Sequence, residues 1–155
     1  MDFTHINIEL ETGIVKIKLR TDLAPNHCKR IAELAEEGFY NEVVFHRVIP
    51  NFMAQTGDPT GTGTGGSDKP DLKAEFSSEN HKRGTASMAR SQSEDSGNSQ
   101  FFICFQDCSW LDGQYTVWGE VEEGMEFVDA IKKGTDESGI VDTPDKMIKV
   151  TPIKE

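Results

Sequence analysis

Phe45-His46-Arg47-Val48-Ile49-Pro50-Asn51-Phe52-Met53-Ala54-Gln55-Thr56-Gly57-Asp58 is the stretch on which the reading of this chain turns. It holds a run rich in β-formers that begins at Val43 and ends at Arg47, and a second from Phe52 to Gln55. Short runs of this kind, broken by turn residues, predict strands. Within the first, His46 lies between Phe45 and Arg47 and so points to the opposite face from both. Taken alone, that histidine reads as a hydrogen-bonded structural residue rather than a base.

Working outward, His5 to Leu10 and Ile14 to Leu19 alternate apolar and polar positions, with Glu11-Thr12-Gly13 between them as a hairpin turn. From about Pro25 to Glu37 the spacing becomes helical: Cys28, Ile31, Leu34 and Ala35 share a face, Pro25 stands early and Gly38 is a stop. Further short β-rich runs follow at Thr85 to Ala89, Gln100 to Phe105 and Tyr115 to Glu120, separated by loops of Gly, Ser, Asp and Asn. A second amphipathic helix is predicted over about Met125 to Lys133, and a last strand near Met147 to Ile153. The rhythm is that of a β-barrel with two covering helices. No repeat or linker divides the chain, so residues 1–155 are expected to form one domain.

The balance of 16 Lys+Arg against 27 Asp+Glu gives a formal charge of -11, which disfavours nucleic acid and anionic membrane as partners. No apolar run approaches the roughly 18 residues of a spanning helix, and Met1-Asp2-Phe3-Thr4-His5 has no basic, then apolar, leader pattern. Cys28, Cys104 and Cys108 cannot all pair within one chain, which suits a reducing cytoplasm. Cys104 and Cys108 are near in sequence, but no neighbouring ligands complete a metal set, and all three read as structural thiols.

Gly61-Thr62-Gly63-Thr64-Gly65-Gly66 matches the letters of a dinucleotide fingerprint, yet Ser67-Asp68-Lys69-Pro70-Asp71 continues as loop where a helix would be needed. A tight loop, with glycines for positive φ or close substrate approach, is the better reading. The four histidines His5, His27, His46 and His81 are scattered, and neither H-E-x-x-H nor G-x-S-x-G occurs. By composition alone, the aromatics around Arg47 and Gln55 would be assigned to core.

The opening stretch resembles the cyclophilin signature F-H-R-x-I-x-x-F-M-x-Q-x-G-D. Ser99-Gln100-Phe101-Phe102-Ile103, followed by Trp110-Leu111-Asp112-Gly113, resembles its second half. The similarity runs through Gly63-Thr64-Gly65-Gly66, Ser87-Met88-Ala89 and Trp118-Gly119-Glu120-Val121 to Gly124-Met125, in family order and over nearly the whole chain. The resemblance implies a mainly β fold, a closed antiparallel eight-stranded barrel capped by two α-helices, with the substrate groove on its outer wall. It implies a peptidyl-prolyl cis/trans isomerase that assists protein folding without metal, cofactor or covalent intermediate. Its partners would be proline-containing peptides and flexible protein segments, and the chain is expected to be monomeric.

Carried over by motif position, Arg47 stands at the family's catalytic arginine. Phe52, Met53, Phe102 and Leu111 stand at its proline pocket, with Gln55 and Gln100 as polar neighbours. Ala89 and Arg90 match the edge that holds substrate backbone, and Trp110 the rim tryptophan associated with cyclosporin. Arg90 and Tyr115 replace the asparagine and histidine of many eukaryotic members, a choice that resembles bacterial ones, as does Ser91 to Asn98. Only weak binding of cyclosporin-type inhibitors is therefore expected, and a bacterial cytoplasmic origin. The rival readings are a non-catalytic proline-binding chaperone or scaffold, and a lipocalin-like barrel with an open interior.

Overall fold

The computed structural model describes residues 3–155. The alternation at the start of the chain becomes a hairpin, β1 (His5–Leu10) and β2 (Gly13–Leu19), paired antiparallel from His5↔Lys18 to Leu10↔Gly13. Ile6, Ile8, Leu10, Val15, Ile17 and Leu19 are all buried, so one face of the hairpin supplies core. Helix α1 (Pro25–Glu36) begins on a proline whose missing N–H costs nothing in the first turn. Its next two N–H groups, of Asn26 and His27, donate to the carboxylate of Glu75 at 3.2 and 2.9 Å. The helix stops at Gly38, where φ is 79° and the N–H of Phe39 reaches back to the carbonyl of Leu34.

Six further strands come next along the chain: β3 (Val43–Val44), β4 (Arg47–Ile49), β5 (Met53–Thr56), β6 (Thr85–Met88), β7 (Phe101–Cys104) and β8 (Val117–Glu123). A single 3-10 turn, Ser109–Leu111, precedes β8, and α2 (Met125–Asp129), β9 (Lys146–Met147) and β10 (Lys149–Ile153) follow it. Eight strands form an antiparallel curled sheet in the order β10-β1-β2-β8-β6-β7-β5-β4. The ladder stays open between β10 and β4. The short β3–β9 pair, contiguous in chain with both of those edges, spans the gap. The expected mainly β, eight-stranded antiparallel fold with two helices is present, but the sheet is curled and open between β10 and β4 rather than a closed barrel.

The interior is filled. Trp118, Tyr40, Phe45 and Phe101 are buried together, with Phe101 meeting Trp118 edge-to-face at 5.2 Å and Tyr40 at 5.5 Å. That removes the lipocalin-like reading. Two local expectations are corrected. The run Val43 to Arg47 is not one strand: Val43 and Val44 pair with Met147 and Lys146, the N–H of Phe45 adds a last bond to the carbonyl of Asp145, and pairing resumes at Arg47 against β5. The second helix ends near Asp129 rather than Lys133, since the N–H of Lys132 is taken by the Asp145 carboxylate at 2.8 Å instead of by the preceding turn. Among the described residues no helix is long and apolar enough to cross a membrane.

Candidate active site

Period-two alternation divides each strand around β5 between two clusters. Val48, Ala54, Ala86, Met88, Phe101 and Ile103 point into the main core. Their neighbours Met53, Phe102 and Cys104 point outward and, with Cys108 and Leu111, make a second, smaller cluster on the wall of the barrel. Ile49, Phe52, Ala89 and Tyr115 pack over it. The outer wall is therefore an apolar surface with its own foundation.

Register then aligns the chemistry. Ile49-Pro50-Asn51-Phe52 turns the chain with Asn51 at φ 64° and the N–H of Phe52 donating to the carbonyl of Ile49 at 3.1 Å. Proline second and asparagine third are what a type II turn requires. The turn fixes Ile49↔Met53, Val48↔Ala54 and Arg47↔Gln55 as opposed pairs. Gln55 in turn lies opposite Phe102, and Phe102 opposite Ser87. A row Arg47, Gln55, Phe102, Ser87 thus crosses four strands at about 4.8 Å per step.

A pocket of about 150 Å³ opens on this row, lined by Arg47, Phe52, Met53, Gln55, Ala89, Arg90, Phe102 and Tyr115. Arg47 is half-buried; its NH1 donates to Gln55 Oε1 at 3.1 Å and its Nε to the carbonyl of Ser138 at 3.1 Å. Among the described residues its NH2 makes no hydrogen bond. Gln55 Nε2 donates to Gln100 Oε1 at 3.0 Å, and Gln100 Nε2 to the carbonyls of Gly63 and Gly65, each at 3.0 Å. The site offers a guanidinium with one unpaired nitrogen beside an apolar hollow.

The family model described as cyclophilin type peptidyl-prolyl cis-trans isomerase/CLD matches residues 5–155. The chain belongs to the cyclophilin family. A probable peptidyl-prolyl cis-trans isomerase of Brucella suis is 54% identical over 156 residues, which cover 93% of this chain and 80% of that one. A cyclophilin-type isomerase from Cryptosporidium parvum superimposes with a TM-score of 0.89 at 27% identity, covering 99% of each chain. The same description applies to a second structure, obtained in the presence of the dipeptide Ala-Pro, with a TM-score of 0.88 and 27% identity over 97% of this chain and 99% of that one. This cyclophilin is therefore an enzyme, a peptidyl-prolyl cis/trans isomerase.

Arg90 and Tyr115 sit together. The Arg90 guanidinium lies 4.7 Å from the centre of the Tyr115 ring, and its Nε donates to the carbonyl of Gln114 at 2.9 Å. Tyr115 meets Phe102 edge-on at 5.7 Å. At the other end Trp110 is 61% exposed and leans on Phe52 at 5.6 Å. Leu111 does not line the pocket but is buried in the cluster beneath it, and Gln100 lines the adjoining groove of about 360 Å³.

Several supporting residues were not singled out by the sequence. His81 stacks on the Phe102 ring at 6.2 Å, and its Nδ1 and Nε2 lie 3.0 Å from Asp112 Oδ1 and 2.9 Å from Ser87 Oγ. Burial holds the His81 pKa below its ordinary value despite the aspartate. Asp58, quoted in the signature but given no role, is fully buried and accepts the backbone of the glycine-rich loop. That loop is the tight one expected, with Gly61 and Gly63 at φ 71° and 92°.

His46 corrects the reading made of it. It lies outside the strands, buried beneath Gly63, and its Nδ1 has no hydrogen-bond partner. Burial lowers its pKa, outweighing the pull of Asp58. The cysteines are free and buried. Burial pushes the Cys28 thiol up to about 12 and raises those of Cys104 and Cys108.

Proposed function

We propose that this isomerase turns X-Pro bonds by donating a hydrogen bond from Arg47 to the proline nitrogen while the apolar hollow grips the ring. The observation that carries the reading is the free NH2 of Arg47, left over when Nε donates to the carbonyl of Ser138 and NH1 to Gln55. An X-Pro bond rotates over a barrier of roughly 18 to 20 kcal/mol because resonance keeps the amide planar. At the twisted transition state the nitrogen regains a lone pair. A permanently charged planar donor stabilises that lone pair more than it does the planar ground state, and only this difference accelerates rotation.

Lowering the barrier by about 7 kcal/mol gives close to five orders of magnitude, within the reach of preorganised donors in a sheltered site. Phe52, Met53 and Phe102 would hold the ring, with Trp110 at the rim and Leu111 behind. Gln55 and Gln100 would hold the polar side, and Ala89 and Arg90 the residues before proline, so that one half of the peptide turns against a fixed other half.

The substrates are proline-containing peptides and flexible segments of folding proteins, in a reducing cytoplasm that suits three free buried thiols. The Arg90–Tyr115 pair in place of asparagine and histidine leaves cyclosporin-type inhibitors weakly bound. The experiment is refolding of a protein whose slow phase is a prolyl step, followed by stopped-flow fluorescence. Catalytic amounts should speed that phase in proportion to enzyme concentration; an effect that needs stoichiometric protein would point to chaperone-like binding alone.

A further inference from the structure

The loop from Asp58 to Ser67 is organised by a carboxylate for which bond rotation has no direct use. Asp58 is 0% exposed. One oxygen, Oδ2, accepts the N–H groups of Thr62, Gly63 and Gly65 at 3.2, 2.7 and 3.0 Å. The other, Oδ1, accepts the N–H and the hydroxyl of Thr60, both at 2.8 Å. Burial opposes the charge, but the bonds from Gly65, Thr60 and Gly63 outweigh it and hold the carboxyl well below the usual carboxylate range. A buried charge satisfied this fully is a fixed node.

From the node, a one-directional chain of hydrogen bonds reaches the pocket. The carbonyls of Gly63 and Gly65 both accept from Gln100 Nε2, so that amide cannot flip without setting oxygen against oxygen. Its Oε1 is thereby turned to Gln55 Nε2, and the Oε1 of Gln55 to Arg47 NH1. Each amide has a donor end and an acceptor end, so the orientation of the first dictates the orientation of the next. Gly65 is tied to the same node, since a Cβ there would collide with the Asp58 carboxylate.

We propose that Asp58 is a positioning residue of the isomerase, which sets, through the glycine-rich loop, Gln100 and Gln55, the direction in which Arg47 presents its free NH2. The proposal rests on the reading of Arg47 as the donor to the proline nitrogen. It assigns the glycine-rich loop a role as a template for two amides. Asp58 touches no substrate, and the larger part of its effect passes through Arg47.

The test measures exchange of an Ala-Pro peptide by NMR with wild type, Asp58→Asn, Gly65→Ala, Arg47→Ala and the Asp58→Asn/Arg47→Ala pair, each first shown to unfold cooperatively. Asp58→Asn sets an NH2 against backbone donors; Gly65→Ala drives a methyl into the carboxylate and keeps its charge. Each should lower kcat/KM by roughly tenfold or more, through kcat rather than KM, as expected for a donor misaimed in the transition state. The Arg47 Nε–H and the Gln55 and Gln100 amide signals should move with it. Added to Arg47→Ala, Asp58→Asn should cost much less than it does in wild type, leaving only what Gln55 and Gln100 lose in holding the polar side of the peptide. The same loss in both backgrounds, or a loss in KM with unmoved Arg47 signals, overturns the proposal. Wild-type rates in Arg47→Ala would instead refute the donor reading itself, a result seen without any Asp58 variant. Should Asp58→Asn fail to fold, Gly65→Ala and its Arg47→Ala double carry the same comparison.

Discussion

Gln55 lies directly opposite Arg47 in the β4–β5 pair, and its Oε1 accepts the Arg47 NH1 at 3.1 Å while its Nε2 donates to Gln100. One amide therefore holds the guanidinium at the pocket and ties it to the adjoining loop. Gln55→Leu keeps the volume and removes both bonds. Peptide-exchange rates should fall roughly ten- to a hundredfold, the range expected when a catalytic group is misplaced by about an ångström. A rate within twofold of wild type would show that the amide does not aim the arginine.

Phe102 is 5% exposed and is the point where the pocket meets its support, stacked on His81 and met edge-on by Tyr115. Phe102→Ala should destabilise the protein by about 3 kcal/mol, at the low end for a buried phenylalanine, because one side of the ring faces the pocket. KM for a prolyl peptide should rise as the hollow loses its floor. Denaturant titration and steady-state kinetics check the two effects separately.

His27, His46 and His81 all have pKa values lowered by burial, and the carboxylates beside them only partly offset this. Each is neutral in the folded chain at a pH where the unfolded chain begins to bind a proton. Their contribution is fully present above about pH 6.5 and is lost as pH falls below it towards the depressed values. The thermal midpoint should drop between about pH 7.5 and about pH 5.5, and His46→Gln should flatten that dependence. An unchanged slope in the variant would mean that His46 is accommodated as a cation.

Cys28, Cys104 and Cys108 are each at most 2% exposed, and their raised pKa values leave almost no thiolate at neutral pH. An aromatic disulfide reagent should label none of them in the native protein and all three in denaturant. Fast labelling of native Cys104 or Cys108 would reveal an opening of the wall behind the pocket.

Much of this was legible in the sequence because burial is periodic. The alternation at Ile6, Ile8, Val15 and Ile17 encodes a sheet face directly, and the helical spacing of Cys28, Ile31, Leu34 and Ala35 a covering helix. The two runs on either side of Pro50-Asn51 were legible too, whereas the turn that sets Arg47 against Gln55 came from the structure. What stayed hidden depends on backbone groups or on distant partners. The donors to Asp58 are peptide N–H groups that no side-chain pattern records, the acceptor of Arg47 Nε is the carbonyl of Ser138, and His81 finds Asp112 only through the fold. The shortened α2 depends on Asp145, and the Val43 to Arg47 run divides because its two ends pair with different strands, β9 and β5, neither of which local propensity can see.

The central claim is that Arg47 supplies the transition-state hydrogen bond, and magnetisation-exchange NMR on an Ala-Pro peptide tests it most directly, with wild type, Arg47→Ala and Arg47→Lys side by side. Arg47→Ala, folded and still binding peptide, should lose roughly 10²- to 10³-fold in exchange rate, as when a preorganised donor is removed, and Arg47→Lys should recover little, since an ammonium lacks the planar fork. A folded Arg47→Ala protein that exchanges the peptide at the wild-type rate would contradict the account.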